Sequence, residues 1–383
     1  MAFGHKGGKG KHRHSGGANH ARRHDQSVDG GVNAGGASSG APVAPQDGDD
    51  TPMHAESGEF FLNRYRAMDA AARLMGPKDV RQALRVNTLK TSHDLLIERL
   101  AARGAVLERI PFIKNGYHAV AKFSLGATPE YLLGHYYLQA PLSQLACEVL
   151  APPVGATVLD MASAPGGKTT YLAMMVLGGI DHHSAAGKVV ALDSDPLRLA
   201  AVRNNAERMG LPNVLCVKKD ARFATDFDTK FMFVLLDAPC SGNMCSEDGW
   251  CGKRRIEDIR ENARTQRELL RSAVACLAPG GRLLYSTCSL EPEEDELAID
   301  TLLKRSADMS VVALDWLPIG DHGVTVWGGV QLDARIPSVL ASQDGVRRVL
   351  HGAPREEGGM NIDADQTASV DIVDVSFLRL WTA

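Results

Sequence analysis

Asp160-Met161-Ala162-Ser163-Ala164-Pro165-Gly166-Gly167-Lys168-Thr169 follows the short apolar run that opens at Val158 and leads into the apolar stretch 171–177. This is the pattern of a strand that stops at an acid, turns through small residues and enters a helix. Small side chains and two glycines let a backbone pass close to a ligand just before a helix N-terminus. A Gly-Gly-Lys turn alone is a weak signal, and Gly167-Lys168-Thr169 also imitates the end of a phosphate-binding P-loop. That motif needs glycine five positions before Gly167, where this chain has Ala162, so a nucleotide triphosphatase is disfavoured.

From Gly155 onward the same alternation repeats. Residues 158–160, 189–193, 214–217, 231–237 and 282–286 read as strands, and residues 168–177, 196–209, 256–277 and 292–305 as helices. Short β-branched runs alternating with helices predict a parallel sheet covered on both faces, so the fold class is α/β, a doubly wound, Rossmann-like domain. Residues 370–381 read as a closing strand.

The remainder divides by composition. Residues 1–57 are rich in Gly, His, Ser and Ala, with Lys6, Lys9, Lys11, Arg13, Arg22 and Arg23 ahead of the first acid, Asp25. Such a segment buries too little apolar surface to offset its ordering entropy and is expected to be a disordered basic arm. Residues 58–143 predict a small α+β module. Phe60, Phe61, Tyr65 and Leu74 fall on a helical spacing, 83–89 is extended, 92–103 is an amphipathic helix ending at Gly104, and 106–110 is a strand. Thr128-Pro129-Glu130-Tyr131 opens a further helix. The α/β domain then fills 144–383.

Composition bounds the function. No apolar run approaches the ~20 residues of a membrane-spanning helix, and no membrane partner is expected. A net charge of −4 over 383 residues gives no global case for nucleic acid, so such a case rests on local groups. Seven cysteines (147, 216, 240, 245, 251, 276 and 288) are an odd, scattered set. That argues against a disulfide scaffold and for a reducing compartment. The spacing of Cys240, Cys245 and Cys251 lacks the short paired steps of zinc sites, so no metal is expected.

In open α/β sheets ligands bind beyond the carboxyl ends of the strands. Four acids stand at such ends: Asp160, Asp193, Asp220 and Asp237. An acid where Asp193 stands commonly receives a ribose diol, although an exposed helix-capping aspartate is the ordinary alternative. Two cysteines also sit just past strands, Cys240 in Asp237-Ala238-Pro239-Cys240-Ser241-Gly242 and Cys288 in Ser286-Thr287-Cys288-Ser289. Cys147, Cys216 and Cys276 read as buried structural thiols. A pair of thiols at strand ends beside a candidate cofactor loop points to chemistry.

These residues, with Asp193 and Arg198 and with Asp220-Ala221, resemble the Nop/Sun group of RNA cytosine-5 methyltransferases over roughly residues 60–300. Arg85-Val86-Asn87-Thr88-Leu89-Lys90 and Thr128-Pro129-Glu130-Tyr131 resemble that family's N-terminal RNA-binding module. The resemblance implies a class I methyltransferase fold using S-adenosyl-L-methionine. Ala162, Ser163, Ala164, Pro165, Gly166, Gly167 and Lys168 would hold its methionine end, Asp193 with Arg198 its ribose, and Asp220 its adenine region, with Asp237 also at the cofactor site. It implies Cys288 as nucleophile and Cys240 as the thiol that assists product release, whereas DNA cytosine methyltransferases attack with the Pro-Cys cysteine. Physical chemistry fits this division, because carbon 5 of cytosine becomes nucleophilic once a thiolate adds at carbon 6. Asp237 would hydrogen-bond the base edge and Lys168 would favour the thiolate.

The expected partner is RNA, transfer or ribosomal, with the target base unstacked, and the protein is expected to act as a monomer. Lys253, Arg254 and Arg255 are candidate phosphate contacts, or else a solvated loop. The arm suits nucleus, nucleolus, cytoplasm or mitochondrion. Residues 354–368 read as an insertion, and 375–378 stand where the family ends in a Gly-Phe-Phe strand. Two rival functions remain: a non-catalytic RNA-binding ribosome-assembly factor that keeps the fold, and a methyltransferase of protein or small molecules.

Overall fold

The computed structural model describes residues 58–68, 81–178, 187–242, 249–312, 326–327, 330–333 and 371–374. The expected arm at 1–57, Leu74, Cys245, the insertion at 354–368 and residues 375–378 lie outside the described residues.

After helix α1 (Gly58–Met68), strands β1 (Ala83–Val86), β2 (Val106–Arg109), β3 (Gly116–Val120) and β4 (Tyr136–Leu138) form an antiparallel sheet in the order β2-β3-β1-β4. Helix α2 (His93–Ala101) covers it, burying Leu96 and Leu100 against Leu84, Val86, Tyr117 and Tyr136. The structure trims the expected bounds. The extended stretch stops at Val86, because Asn87 accepts backbone hydrogen bonds from Lys90 and Thr91 and turns the chain at Leu89. Ser92 stands outside α2 as its cap, its hydroxyl accepting from the Leu95 N–H. Gly104, at φ +87°, lies two residues past the C-cap Ala102. Thr128 caps the four-residue helix α3 (Pro129–Leu132).

Helix α4 (Pro141–Leu150) leads into the larger sheet. Its strands are β5 (Thr157–Asp160), β6 (Lys188–Asp193), β7 (Val214–Lys218), β8 (Phe231–Asp237), β9 (Leu277–Ser286), β10 (Ser310–Val311) and, after the hairpin β11 (Val326–Trp327) and β12 (Val330–Gln331), β13 (Asp371–Asp374). They pair in parallel in the order β10-β13-β9-β8-β5-β6-β7. The helices between them are α5 (Gly167–Leu177), α6 (Pro196–Met209), α7 (Ile256–Cys276) and α8 (Glu296–Leu303). Period-two alternation explains the two covered faces. Val158, Phe233 and Leu235 pack with Leu145, Leu172 and Val176 of α4 and α5. Their neighbours Leu159, Val234 and Leu236 pack on the other face with Leu269, Leu270 and Ile299 of α7 and α8. The doubly wound reading therefore holds, and β13 supplies the closing strand between β9 and β10.

The last expected helix begins at Glu296, because the residues before it form a turn in which the Glu294 N–H donates to the Glu291 carbonyl and the Asp295 N–H to the Pro292 carbonyl. No described helix is long and apolar enough to cross a membrane.

Candidate active site

The chain runs from β5 outward to β6 and β7, then returns to the other side of β5 with β8 and β9. The crevice lies where this direction reverses, beyond the carboxyl ends of β5, β6, β8 and β9. The loop after β5 is held close to the sheet. Ser163 donates through both its N–H and its hydroxyl to the Leu192 carbonyl, each at 2.9 Å, and Asn205 Nδ2 donates to the Pro165 carbonyl at 2.9 Å. Ala164 packs on Ala191, Leu199 and Val202. Gly166 has φ +102°, a conformation that favours glycine, and a Cβ there would lie 3.1 Å from the Val202 Cα, tighter than an ordinary contact. The Ala164–Pro165 peptide is cis.

Three features of this crevice fit a cationic adenosine cofactor that also carries a carboxylate. Among the described residues no side chain caps the N-terminus of α5, so its first-turn N–H groups can receive an anionic group. Asp193 is buried at the end of β6 and accepts from the Asp195 N–H at 2.9 Å, while Arg198 Nε stands 3.5 Å from its other oxygen. The helix-capping aspartate is Asp195, not Asp193, which separates the two readings of that acid. Asp160 is wholly buried, with Thr169 Oγ1 donating to one carboxylate oxygen at 2.6 Å, and burial pushes its carboxyl up to about 7. Asp220, beyond β7, is turned toward Arg222, which donates to both of its oxygens and holds its carboxyl below the usual range.

Asp237 ends β8 and pairs across the ladder with Ser286, the end of β9. Lys168 Nζ sits 2.6 Å from Asp237 Oδ2, and the Ser286 hydroxyl donates to Oδ1 at 2.7 Å. Burial works against the Lys168 charge, but the attraction and hydrogen bond of Asp237, with Cys147 and Asp160 nearby, hold its pKa above the ordinary value. Beyond these strand ends Cys240 Sγ and Cys288 Sγ are 3.0 Å apart, and the Cys288 N–H donates to Cys240 Sγ at 3.3 Å. Two sulfurs this close share a proton. The hydrogen bond from Cys240 lowers the Cys288 pKa, against burial and Asp237 and with help from Lys168. The same bond, then burial and Glu294, drive the Cys240 thiol far up. Cys288 is exposed and Cys240 half-buried.

Residues that sequence reasoning passed over hold this pair in place. Glu294 is buried and accepts from the Ser241 N–H at 3.0 Å, the Ser241 hydroxyl at 2.6 Å and Gln266 Nε2 at 3.3 Å. Gln266 also donates to the Pro239 carbonyl at 2.9 Å, and Trp250 Nε1 to the Ser241 carbonyl at 2.7 Å. The loop after β9 is fixed by Thr287 donating to Asp295, and by Glu291, which receives Arg64 and Tyr65 of α1. Arg254 and Arg255, read as phosphate contacts or a solvated loop, are engaged within the protein. Arg254 Nε donates to the Ser241 carbonyl at 2.9 Å, and Arg255 pairs with Asp258 at 2.9 Å.

The first sheet reaches the same loop through residues read as RNA-facing. Arg85 is fully buried and donates to the Gly167 carbonyl at 2.7 Å and to Thr170 Oγ1 at 2.9 Å, with Tyr171 stacked 4.5 Å away. Asn87 Nδ2 donates to the Gly134 and Met209 carbonyls, and Lys90 Nζ to the Leu133 and Arg208 carbonyls. The motif 85–90 thus binds the two sheets together. Of the thiols read as structural, Cys147 and Cys276 are buried, whereas Cys216 is only half-buried.

Comparison with known proteins gives these positions a context. Residues 147–335 match the model of the 16S rRNA methyltransferase RsmB/F, and residues 61–141 that of the N-terminal domain of 16S rRNA methyltransferase RsmF. A mouse 28S rRNA (cytosine-C(5))-methyltransferase is 35% identical over 290 residues, covering 72% of this chain and 35% of the relative. The Escherichia coli ribosomal RNA small subunit methyltransferase F is 35% identical over 253 residues, 64% of this chain and 50% of the relative. The chain thus spans about a third to a half of the length of these curated relatives. Among solved structures, a methyltransferase homolog from Pyrococcus horikoshii is 34% identical, with a TM-score of 0.61 over 73% of this chain and 88% of that one.

Proposed function

This chain belongs to the RsmB/F methyltransferase family, and from that premise we propose that it transfers a methyl group to carbon 5 of a cytosine in ribosomal RNA. The observation that carries the proposal is the Cys240–Cys288 sulfur pair, 3.0 Å apart at neighbouring strand ends and beside the Lys168–Asp237 ion pair. A methyl transferase of proteins or small molecules has no use for two such thiols. Relatives named for ribosomal RNA support the substrate class.

S-adenosyl-L-methionine would be held by the loop 162–168, by Asp193 with Arg198 and by the region of Asp220, and when bound would supply the methyl group. The Cys288 thiolate adds to carbon 6 of the cytosine, and the ring electrons move toward carbon 5. Asp237, hydrogen-bonded by Ser286, faces the base edge, and Lys168 steadies the charge that develops. The enriched carbon 5 takes the methyl group. Cys240, having first given its own proton to solvent, takes the carbon 5 proton as a thiolate; the electrons of that C–H bond restore the ring double bond, and the carbon–sulfur bond breaks with its pair returning to Cys288. The target nucleotide must leave its stack for sulfur and methyl donor to reach opposite faces of one ring.

The test is to incubate Cys240→Ala protein with ribosomal RNA and S-adenosyl-L-methionine. A denaturation-resistant protein–RNA adduct is expected, lost when Cys288→Ala is added, and sequencing of the trapped RNA names the cytosine. Absence of both adduct and methyl transfer by the native protein on every RNA offered would move the reading to a non-catalytic RNA-binding assembly factor.

A further inference from the structure

A cavity of about 500 Å³ lies between α7 and α8, on the outer side of the helices that cover β8 and β9. Arg264, Arg267 and Arg271 of α7 and Arg305 beyond α8 line it, above an apolar floor that includes Leu270 and Leu302. Among the described residues, none of the four arginines is in ion-pair contact with a carboxylate. The one acid of the lining, Glu268, is drawn toward Arg222 at 3.4 Å. Arg267 shows the consequence: burial, then the charges of Arg264, Arg271 and Arg305, push its pKa down. Four unneutralised guanidinium groups are concentrated here in a chain whose net charge is −4. Folding gains nothing from such mutual repulsion, and an anion seated among the four would relieve it.

The position of the groove says which anion. Gln266, between Arg264 and Arg267 on α7, turns the other way and donates to the Pro239 carbonyl and to Glu294, the group that holds Ser241. The helix that presents the arginines outward therefore braces the Pro-Cys loop inward. Guanidinium walls over an apolar floor suit a phosphodiester with its base or ribose laid on the floor, better than they suit an isolated inorganic anion, which has no use for the floor. A volume near 500 Å³ has room for a nucleotide unit. We infer that the α7–α8 groove is a second RNA-binding site, taking phosphodiesters of the same RNA strand whose cytosine reacts at Cys288. The inference rests on the RNA methyltransferase reading above.

The test compares the native protein with Arg264→Ala/Arg271→Ala and with Arg264→Lys/Arg271→Lys, binding a fluorescent ribosomal-RNA fragment across roughly 50–200 mM salt. Each phosphate contact to single-stranded RNA contributes about 0.7 to the slope of log affinity against log salt. The alanine pair is expected to lower the slope by about 1.4, narrowing the gap from the native protein roughly sevenfold over that range. The lysine pair should restore most of the slope, and kcat at saturating RNA should not change. Melting temperature should stay level or rise in the alanine pair, since repulsion is removed. An unchanged slope would overturn the inference, as would variants that lose binding of inorganic phosphate or an acidic peptide while RNA binding is kept. A native protein that binds RNA through this groove but transfers no methyl group would sink the catalytic reading and leave the groove standing. Methyl transfer with an unaltered slope in the alanine pair would do the reverse.

Discussion

Replacing Asp160 by asparagine should make the stability of the unliganded protein markedly less sensitive to alkali. In the fold the Asp160 carboxyl is pushed from its ordinary value of 3.8 up to about 7, first by burial and next against the hydrogen bond from Thr169, with Asp237 adding repulsion. A carboxyl with a raised native pKa binds its proton more tightly folded than unfolded. Its contribution is therefore fully present below about pH 4 and is lost as pH climbs toward and through 7. A gap of about three in pKa corresponds to roughly 4 kcal/mol in all, of which about 3 kcal/mol falls between pH 4.5 and 8. Asparagine keeps an oxygen to accept from Thr169 Oγ1 and carries no proton to lose. The assay is urea unfolding of both proteins at a series of pH values, because the difference between them cancels every other titrating group. Native-minus-variant stability should fall by about 3 kcal/mol over that interval and level off above it. A difference that stays flat to within about 0.5 kcal/mol, or that rises with pH, would refute the assignment of a protonated, desolvated carboxyl at the end of β5.

Arg85→Met should cost roughly 3–5 kcal/mol in urea unfolding, since it strands the buried Gln139 acceptor and removes the hydrogen bonds from Arg85 to Thr170 and to the Gly167 carbonyl, which keeps that from Thr170; it should also weaken S-adenosyl-L-methionine binding by calorimetry, because the Gly167 carbonyl belongs to the loop that would hold the cofactor. Glu294→Gln turns an NH2 group toward the donors of Ser241 and Gln266, and should destabilise by about 1–3 kcal/mol. It should also slow release of the RNA adduct more than its formation, a split that loss of folded protein alone would not produce. Lys168→Met leaves Asp237 without its ion-pair partner and removes the positive charge that helps hold the Cys288 thiol down. The thiol limb of the kcat/KM profile should move to higher pH, and an unmoved limb would mean that Lys168 does not act on the nucleophile.

The parallel sheet was legible because its signal is local. Strands β5, β6 and β8 are short apolar runs ending at Asp160, Asp193 and Asp237, and the alternation of Leu159 and Val158 between two cores is written in consecutive residues. The strand Gly116–Val120 was missed because Lys114-Asn115-Gly116 reads as a turn and His118 interrupts the apolar run; pairing with both β1 and β2 makes it a strand. Acids after the Thr-Cys motif were missed for a different reason. Glu291, Glu294 and Asp295 look like the solvated start of a helix, yet all three are buried, because their partners Arg64, Ser241 and Thr287 come from other elements. The only sequence signal was their density directly after Cys288. Arg85, Asn87 and Lys90 show the converse: a polar motif that resembles an RNA-binding segment is used for backbone carbonyls inside the protein. Charge type is visible in a sequence, whereas the acceptor it will meet is not.

On the proposed reading, the sulfur pair also carries its own timing. The two thiols are nearly equivalent in position, and their surroundings break the symmetry. A negative charge on Cys240 would face the nearby Glu294 carboxylate, whereas a charge on Cys288 is exposed and within the field of Lys168. The resting charge therefore belongs on Cys288, and the proton on Cys240. The largest cause that keeps Cys240 protonated is its hydrogen bond to Cys288. Once Cys288 sulfur is bonded to carbon 6 it is no longer an anion that holds that proton in place, so Cys240 can release it to solvent and stand as the thiolate base that carbon 5 then needs. Attack by one cysteine thus prepares the other for release, and exchanging their roles would place the first charge beside Glu294.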